Sequence, residues 1–228
     1  MAIENLFRHE YGKLVALLIR RFGIQLVDEI EDSVQWSMMQ AVEHWNKKEV
    51  PDNKPAWLYQ VAYRHLLSHL ETTQRRQALI NNHVEIDATF ESEQYLSGEL
   101  TDSLLKMLLI ACDEDIPVES QLVFTLKSLC GFSVKEIALR LMISEDNVYK
   151  RFSRARNHLK GKSLLFEELD EKQITTRIAS LHYILYLIFT EGYLSSHKDK
   201  AIRIDLCEEA IRLASLLTES SISNLPET

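Results

Sequence analysis

The run "SEDNVYKRFSRARNHLK", residues 144–160, sorts its side chains by chemistry at the period of a helix. Val148, Phe152, Ala155 and Leu159 fall on one side, and at about 100° per residue Asp146, Asn147, Lys150, Ser153, Arg154 and Asn157 fall opposite them. Donors, acceptors and cations presented together on one helical face are the set that reads base edges in a major groove. Arg151 and Arg156, on the flanks, are placed for phosphates. Upstream, Ser133 and Glu136 have the spacing of a capping box, and Val134, Ile137, Ala138 and Leu141 form a short apolar stripe. After the turn "LMIS", Ser144 is the next cap. Two helices joined by a short turn, the second polar and cationic outside, make a helix-turn-helix whose second helix points its N-terminal half at the bases.

The other candidates for chemistry are weaker. His65 and His69 stand four apart, a chelating spacing, but no third ligand accompanies them at a motif spacing. They read as solvated or phosphate-facing histidines, and no metal is expected. Lys47 and Lys48 adjoin the loop 46–56, where two prolines set a rigid turn and Asn53 offers a donor and an acceptor to a base edge. Trp57, in "AWL", reads as support for that loop rather than as a stacking platform. The sequence contains no glycine-rich phosphate loop, nucleophile elbow or HExxH pattern, so an enzyme is not expected and no cofactor is required. Cys112, Cys130 and Cys207 are far apart and read as buried small apolar residues.

The elements that must position these side chains are all helical. Six glycines and four prolines are few for 228 residues, and each strongly periodic window repeats at the helical spacing. Hydrophobic residues make up 46% of the chain, enough for one large core or two modest ones, and no apolar run is long enough to span a bilayer. The first residues, "MAIENLFRHEYGK", lack the pattern of a secretory signal, so a soluble cytoplasmic protein with no membrane partner is expected. The net charge is −8, yet residues 132–162 carry eight Lys and Arg against three Asp and Glu, which places the footprint for phosphate there.

Apolar stripes divide the chain. Val15, Leu18, Ile19 and Phe22 mark a first helix. Val34, Met38, Ala41 and Trp45 mark a second, after "DEIE", where Asp28 is expected as N-cap with Glu31 completing a capping box. Leu58, Val61, Ala62, Leu66 and Leu70 mark a third, which closes a bundle over 1–76. Residues 77–100 contain no Lys or Arg and no sustained period, and are expected to be a linker. A second unit, 101–162, begins with Leu104, Leu105, Leu108 and Leu109, and Pro117 opens a helix with Val118, Leu122, Leu126 and Leu129 inward. In 163–228, "LHYILYLIF" is apolar almost all round and is expected to be buried, followed by a helix with Leu206, Ala210, Leu213 and Leu217 on one face. The fold expected is all-α: two small helical domains joined by a linker, the second containing the helix-turn-helix, plus a C-terminal helical extension.

The stretch "GFSVKEIALRLMISEDNVYKRFSRARNHL" resembles the promoter-binding helix-turn-helix of extracytoplasmic-function (ECF) sigma factors, the small bacterial subunits that direct RNA polymerase to promoters. "EIEDSVQWSMMQAVEHW" resembles their polymerase-binding helix, and "NKPAWLYQVAYRHLLSHLETTQRR" resembles the segment that opens and reads the minus-ten element. Two segments in the family's order are far more specific than a lone helix-turn-helix. "YILYLIFTEGYLSSHKDKAIRIDLCEEAIRLASLL" is similar to the start of a helical extension found in one ECF subgroup. Three positions depart from the pattern. Met142 stands at a turn position where many relatives carry glycine, Trp36 where they usually carry an acid, and Asp113 follows Cys112 where the subgroup has a second cysteine or histidine.

The resemblance implies a function, transcription initiation at specific promoters, and a division of labour. Residues 1–76 would bind the polymerase clamp and the minus-ten element, and the helix-turn-helix would bind the minus-thirty-five element. Lys47, Lys48, Asn53, Lys54, Arg64 and His65 are the expected minus-ten contacts. On the second helix, Trp36 and Met39 lie off the core stripe beside Asp32, Gln35 and Glu43, the composition of a protein-binding surface, and these five are the expected polymerase contacts. The expected partners are bacterial core RNA polymerase and promoter DNA, with control by an anti-sigma factor or by the C-terminal extension itself. A free-standing helix-turn-helix regulator is the alternative, and a helical protein-interaction module the third reading. The bundle 1–76 argues against the free-standing regulator, which would need a sensor or dimerisation domain in its place.

Overall fold

The computed structural model describes residues 3–45, 50–71, 93–162, 169–193 and 204–219, and among the described residues every regular element is helical, with no strand. The chain divides into two compact units, Met1–Leu104 and Leu105–Thr228.

In the first unit, α1 (Ile3–Phe22) is covered on more than one side: Leu14, Val15, Ala16, Leu17, Leu18 and Ile19 are buried in succession. A helix apolar all round belongs inside a bundle, and α2 (Val27–Trp45) and α3 (Lys54–Glu71) pack against it and against each other. Gly23 ends α1 at a φ of 91°, a conformation that a side chain would resist, with its N–H donating to the Ile19 carbonyl at 2.7 Å. A 3-10 turn, Ile24–Leu26, then feeds directly into α2. This corrects the expected cap. Asp28 lies within the first turn of α2 and Glu31 is buried, because the chain is already helical at Val27 and leaves no extended residue at 28 to act as a cap.

α4 (Glu93–Ala111) begins inside the expected linker, whose remaining part, 77–92, lies outside the described residues. Gly98, which suggested a break, sits on an open face of α4, where glycine weakens a helix by about 1 kcal/mol without ending it. Within the first unit, Arg21 donates to the Tyr59 hydroxyl at 2.9 Å and to Glu99 at 3.2 Å, and Arg20 donates to Ser103 Oγ at 2.6 Å, fastening this end of α4 to α1.

In the second unit, the end of α4 is followed by α5 (Val118–Phe124), which widens into a π turn, Thr125–Leu129. Pro117 caps α5 rather than occupying its first turn, and Val118 is exposed, whereas Leu122, Leu126 and Leu129 are buried as expected. The helix-turn-helix follows as α6 (Val134–Leu141) and α7 (Glu145–Lys160), with α7 lying against α5. The C-terminal hairpin pairs α8 (Glu171–Tyr193) with α9 (Ile204–Glu219), and α8 also packs on α5. Gly192 lets the two helices of the hairpin approach closely: a Cβ there would lie 2.7 Å from Cys207 Sγ. Only part of "LHYILYLIF" is buried, which corrects the expectation. Leu181, Ile184, Leu185 and Ile188 face inward, but Tyr183, Tyr186 and Phe189, with Tyr193 beyond them, are exposed, because α5 and α9 cover one side of α8 and not the other.

Candidate nucleic-acid interface

The helix-turn-helix is assembled by local rules. The Glu136 N–H donates to Ser133 Oγ at 3.2 Å, and Glu136 Oε2 accepts from the Ser133 N–H at 2.8 Å, a complete capping box for α6. Met142 closes α6 in the left-handed region, φ 54° and ψ 40°, the geometry in which glycine is free and methionine is strained. Ser144 Oγ accepts from the Asn147 N–H at 3.3 Å and starts α7.

Val148, Phe152, Ala155 and Leu159 are all buried, which fixes the rotation of α7. Asp146, Asn147, Lys150 and Arg154 are therefore exposed, and Arg151, Ser153 and Arg156 are half-buried at the edges. Phe152 stacks on Phe124 with ring centroids 5.8 Å apart, and Lys127 Nζ sits 4.3 Å from its ring. The Arg156 guanidinium lies 6.0 Å from that ring, so its stem is drawn toward the core edge, whereas Arg154 is exposed. Tyr149 is 54% exposed in the N-terminal half of α7. Sequence reasoning passed over it because an aromatic residue on an amphipathic helix is most often core; its offset from the apolar stripe was the available signal.

On the first unit, Asp32, Gln35, Trp36, Met39 and Glu43 all emerge on the outer side of α2, with Trp36 40% and Met39 47% exposed. Trp36 lies flat on the His65 imidazole, centroids 5.1 Å apart. His65 Nδ1 is 3.0 Å from Ser33 Oγ, and Ser33 donates its hydroxyl proton to the Glu29 carbonyl at 2.8 Å, so the ring proton sits on Nδ1. Burial, and then the charge of His69, hold the His65 pKa below its ordinary value. A neutral, engaged imidazole supports Trp36 better than it holds a phosphate. Asn53 Oδ1 accepts from the Ala56 N–H at 2.9 Å and caps α3, so one of the oxygen's two acceptor positions is already taken. Lys54 opens α3 half-exposed, Arg64 is exposed a few turns on, and Lys47 and Lys48 lie outside the described residues. Trp57 packs on Trp45, centroids 5.5 Å apart, in the supporting position expected.

A charged cluster that the sequence did not announce lies in the second unit. Asp113 is 2% exposed and accepts from His158 Nε2 at 3.1 Å, from Lys162 Nζ at 3.0 Å and from Arg177. Burial pushes the Asp113 carboxyl up, but hydrogen bonds from Lys162 and the Asp115 N–H and the charges of Arg177 and Lys162 outweigh it, and the net shift is downward. A depressed folded-state pKa stabilises the fold above the ordinary carboxylate range, and that contribution is lost as the pH falls through the folded value. Asp113, Asp115 and His158 bring three ligand atoms within 4.8 Å of one another. Lys162 already binds both carboxylates, at 3.0 Å and 2.8 Å, and fills the place of a cation. Cys112 is fully buried and burial pushes its thiol up to about 12, which makes it an inert core group.

With this geometry in place, comparison with known proteins separates the two halves of the second unit. Residues 107–159 match the family described as sigma-70, region 4, and the match spans α6 and all but the last residue of α7. Residues 177–228 match a family of unknown function (DUF6596) that begins at Arg177. An uncharacterised protein of Rhizobium meliloti (strain 1021) is 28% identical over 196 residues, which cover 84% of this chain and 46% of that protein. The chain thus spans about half the length of the curated relative it matches. No solved structure matches. The region 4 match supports a sigma-70 family factor, a class of non-enzymatic transcription proteins. Among the described residues, no helix is long and apolar enough to cross a membrane.

Proposed function

We propose that this protein is a sigma factor of the extracytoplasmic-function type with a C-terminal helical extension, directing bacterial core RNA polymerase to particular promoters in the cytoplasm. The observation that carries the reading is α7: a rigidly capped helix, turned by its four buried residues so that Asp146, Asn147, Lys150 and Arg154 face solvent, inside a segment that matches sigma-70 region 4. Asp146, Asn147, Lys150 and Ser153 meet base edges of the minus-thirty-five duplex, and Arg151, Arg154 and Arg156 meet its backbone or guanines.

The residues 1–76 dock on the polymerase clamp through Asp32, Gln35, Trp36, Met39 and Glu43. They hold the single-stranded minus-ten element at the loop 46–56 and along α3. The acidic segment 77–92, ahead of α4, joins the two DNA-binding parts through the polymerase; without Lys or Arg it does not compete for phosphates and the transcript can displace it. Polymerase performs the chemistry, so the chain needs no cofactor. The purified chain is expected to co-migrate with bacterial core RNA polymerase and to make the complex selective for promoter DNA. Duplex binding without co-migration would instead identify a free-standing helix-turn-helix regulator.

A further inference from the structure

The Asp113 carboxylate is divided between two elements that come from the two family matches. Oδ1 accepts from His158, in the last turns of α7, and Oδ2 accepts from Arg177, in the second turn of α8. Lys162, just past α7, bridges both oxygens at 3.0 Å and 3.1 Å and continues to Asp115 at 2.8 Å. The Arg177 guanidinium, on a residue only 9% exposed, also points its other nitrogen at the Leu109 and Ile110 carbonyls, 3.5 Å from each. These carbonyls belong to the last turn of α4, where a helix presents its negative end and a cation is favoured. One side chain of the hairpin therefore neutralises a buried acid and caps a helix of the helix-turn-helix unit. Removing one partner of such a buried pair leaves an uncompensated charge, so the other partners must rearrange.

We propose that Asp113 and Arg177 form a latch that makes the C-terminal hairpin part of the promoter-binding unit and couples α8 to the end of the recognition helix α7. The hairpin leaves the outer face of α7 open, since Asp146, Asn147, Lys150 and Arg154 are exposed in its presence. Its influence on DNA therefore passes through the latch rather than through obstruction. By reciprocity, whatever loosens α8 loosens the end of α7, and whatever holds α7 steadies α8. The functional side of this inference rests on the reading of α7 as the DNA-binding helix.

Hydrogen–deuterium exchange on the full chain, without DNA, tests the latch. Arg177→Met should speed exchange about tenfold in α8 and also in the last turn of α7, with α1 to α3 unchanged, as expected for a cooperative local opening. A rise confined to α8, with α7 at the parental rate, would overturn the coupling. Should Arg177→Met lose helical circular dichroism, Arg177→Gln, which keeps a polar side chain while removing the charge, is read against the same two outcomes. Duplex binding is measured separately on the parent and the variants. Coupled exchange in a parent that binds no promoter duplex would refute the DNA-binding reading and leave the latch standing. Duplex binding without coupled exchange would refute the latch alone.

Discussion

Helices α2 and α7 bury the same kind of surface, Val34, Ala41 and Trp45 in one and Val148, Phe152, Ala155 and Leu159 in the other. Their outer faces are opposite in character. That of α2 shows Trp36, Met39 and Val42 among Asp32, Gln35 and Glu43, whereas that of α7 shows Lys150 and Arg154 among Asn147, Asp146 and Ser153. The inner faces decide that both are core helices. The outer faces decide what each can hold: exposed apolar groups ringed by polar ones fit a protein, and cations interleaved with amides and hydroxyls fit a nucleic acid.

The largest effect should come from the side the helices share. Phe152→Ala empties an aromatic core site and should destabilise the second unit by about 3–5 kcal/mol. Denaturant unfolding checks this, and a change under 1 kcal/mol, on the order of a surface substitution, would mean that Phe152 does not set the rotation of α7. Trp36→Ala should weaken core polymerase binding by about 2 kcal/mol or more, the scale of a central interface residue, with little loss of stability. Polymerase affinity that stays at the parental level alongside a large stability loss would return Trp36 to the core and erase the contrast. Lys150→Ala and Arg154→Ala should leave the fold intact and lower binding of duplex minus-thirty-five DNA by about 1–3 kcal/mol for a base reader, or reduce the salt slope by about one for a phosphate contact. A titration across a salt series separates the two, and parental binding at every salt concentration would give α7 a protein partner instead. The smallest effect sharpens the contrast without touching either face: Met142→Gly relieves the left-handed residue and should raise stability by about 1 kcal/mol while leaving duplex affinity alone. Equal or lower stability in that variant would show that the methionine side chain repays its strain in packing.

What the sequence disclosed was local. Ser133, Glu136 and Ser144 act within one turn of their partners, and the α7 stripe repeats every three or four residues, so caps and rotation could be read from spacing alone. The exposure of Trp36 and Met39 followed from the same periodicity. What escaped was set by distant neighbours. Asp113 stands in an acidic run that looks solvated until Arg177, 64 positions away, comes to meet it. His65 looks like a surface cation until Ser33 and Trp36 cover it from α2. Asp28 has the residue type of a cap, but the backbone before it, turned by Gly23 and the 3-10 segment, had already begun the helix. The tyrosine-rich side of α8 stayed exposed because periodicity reports how apolar a face is and not whether another helix arrives to cover it.

The aromatic cluster that supports the loop before α3 also divides the chain optically. All three tryptophans, Trp36, Trp45 and Trp57, belong to the first unit, while the second carries tyrosines and phenylalanines only. Indole emission is therefore a native dye on one side of the molecule. Its intensity reports on the first unit, and Trp57, in contact with Trp45 at the foot of the loop, brings that signal next to the segment read as the minus-ten contact.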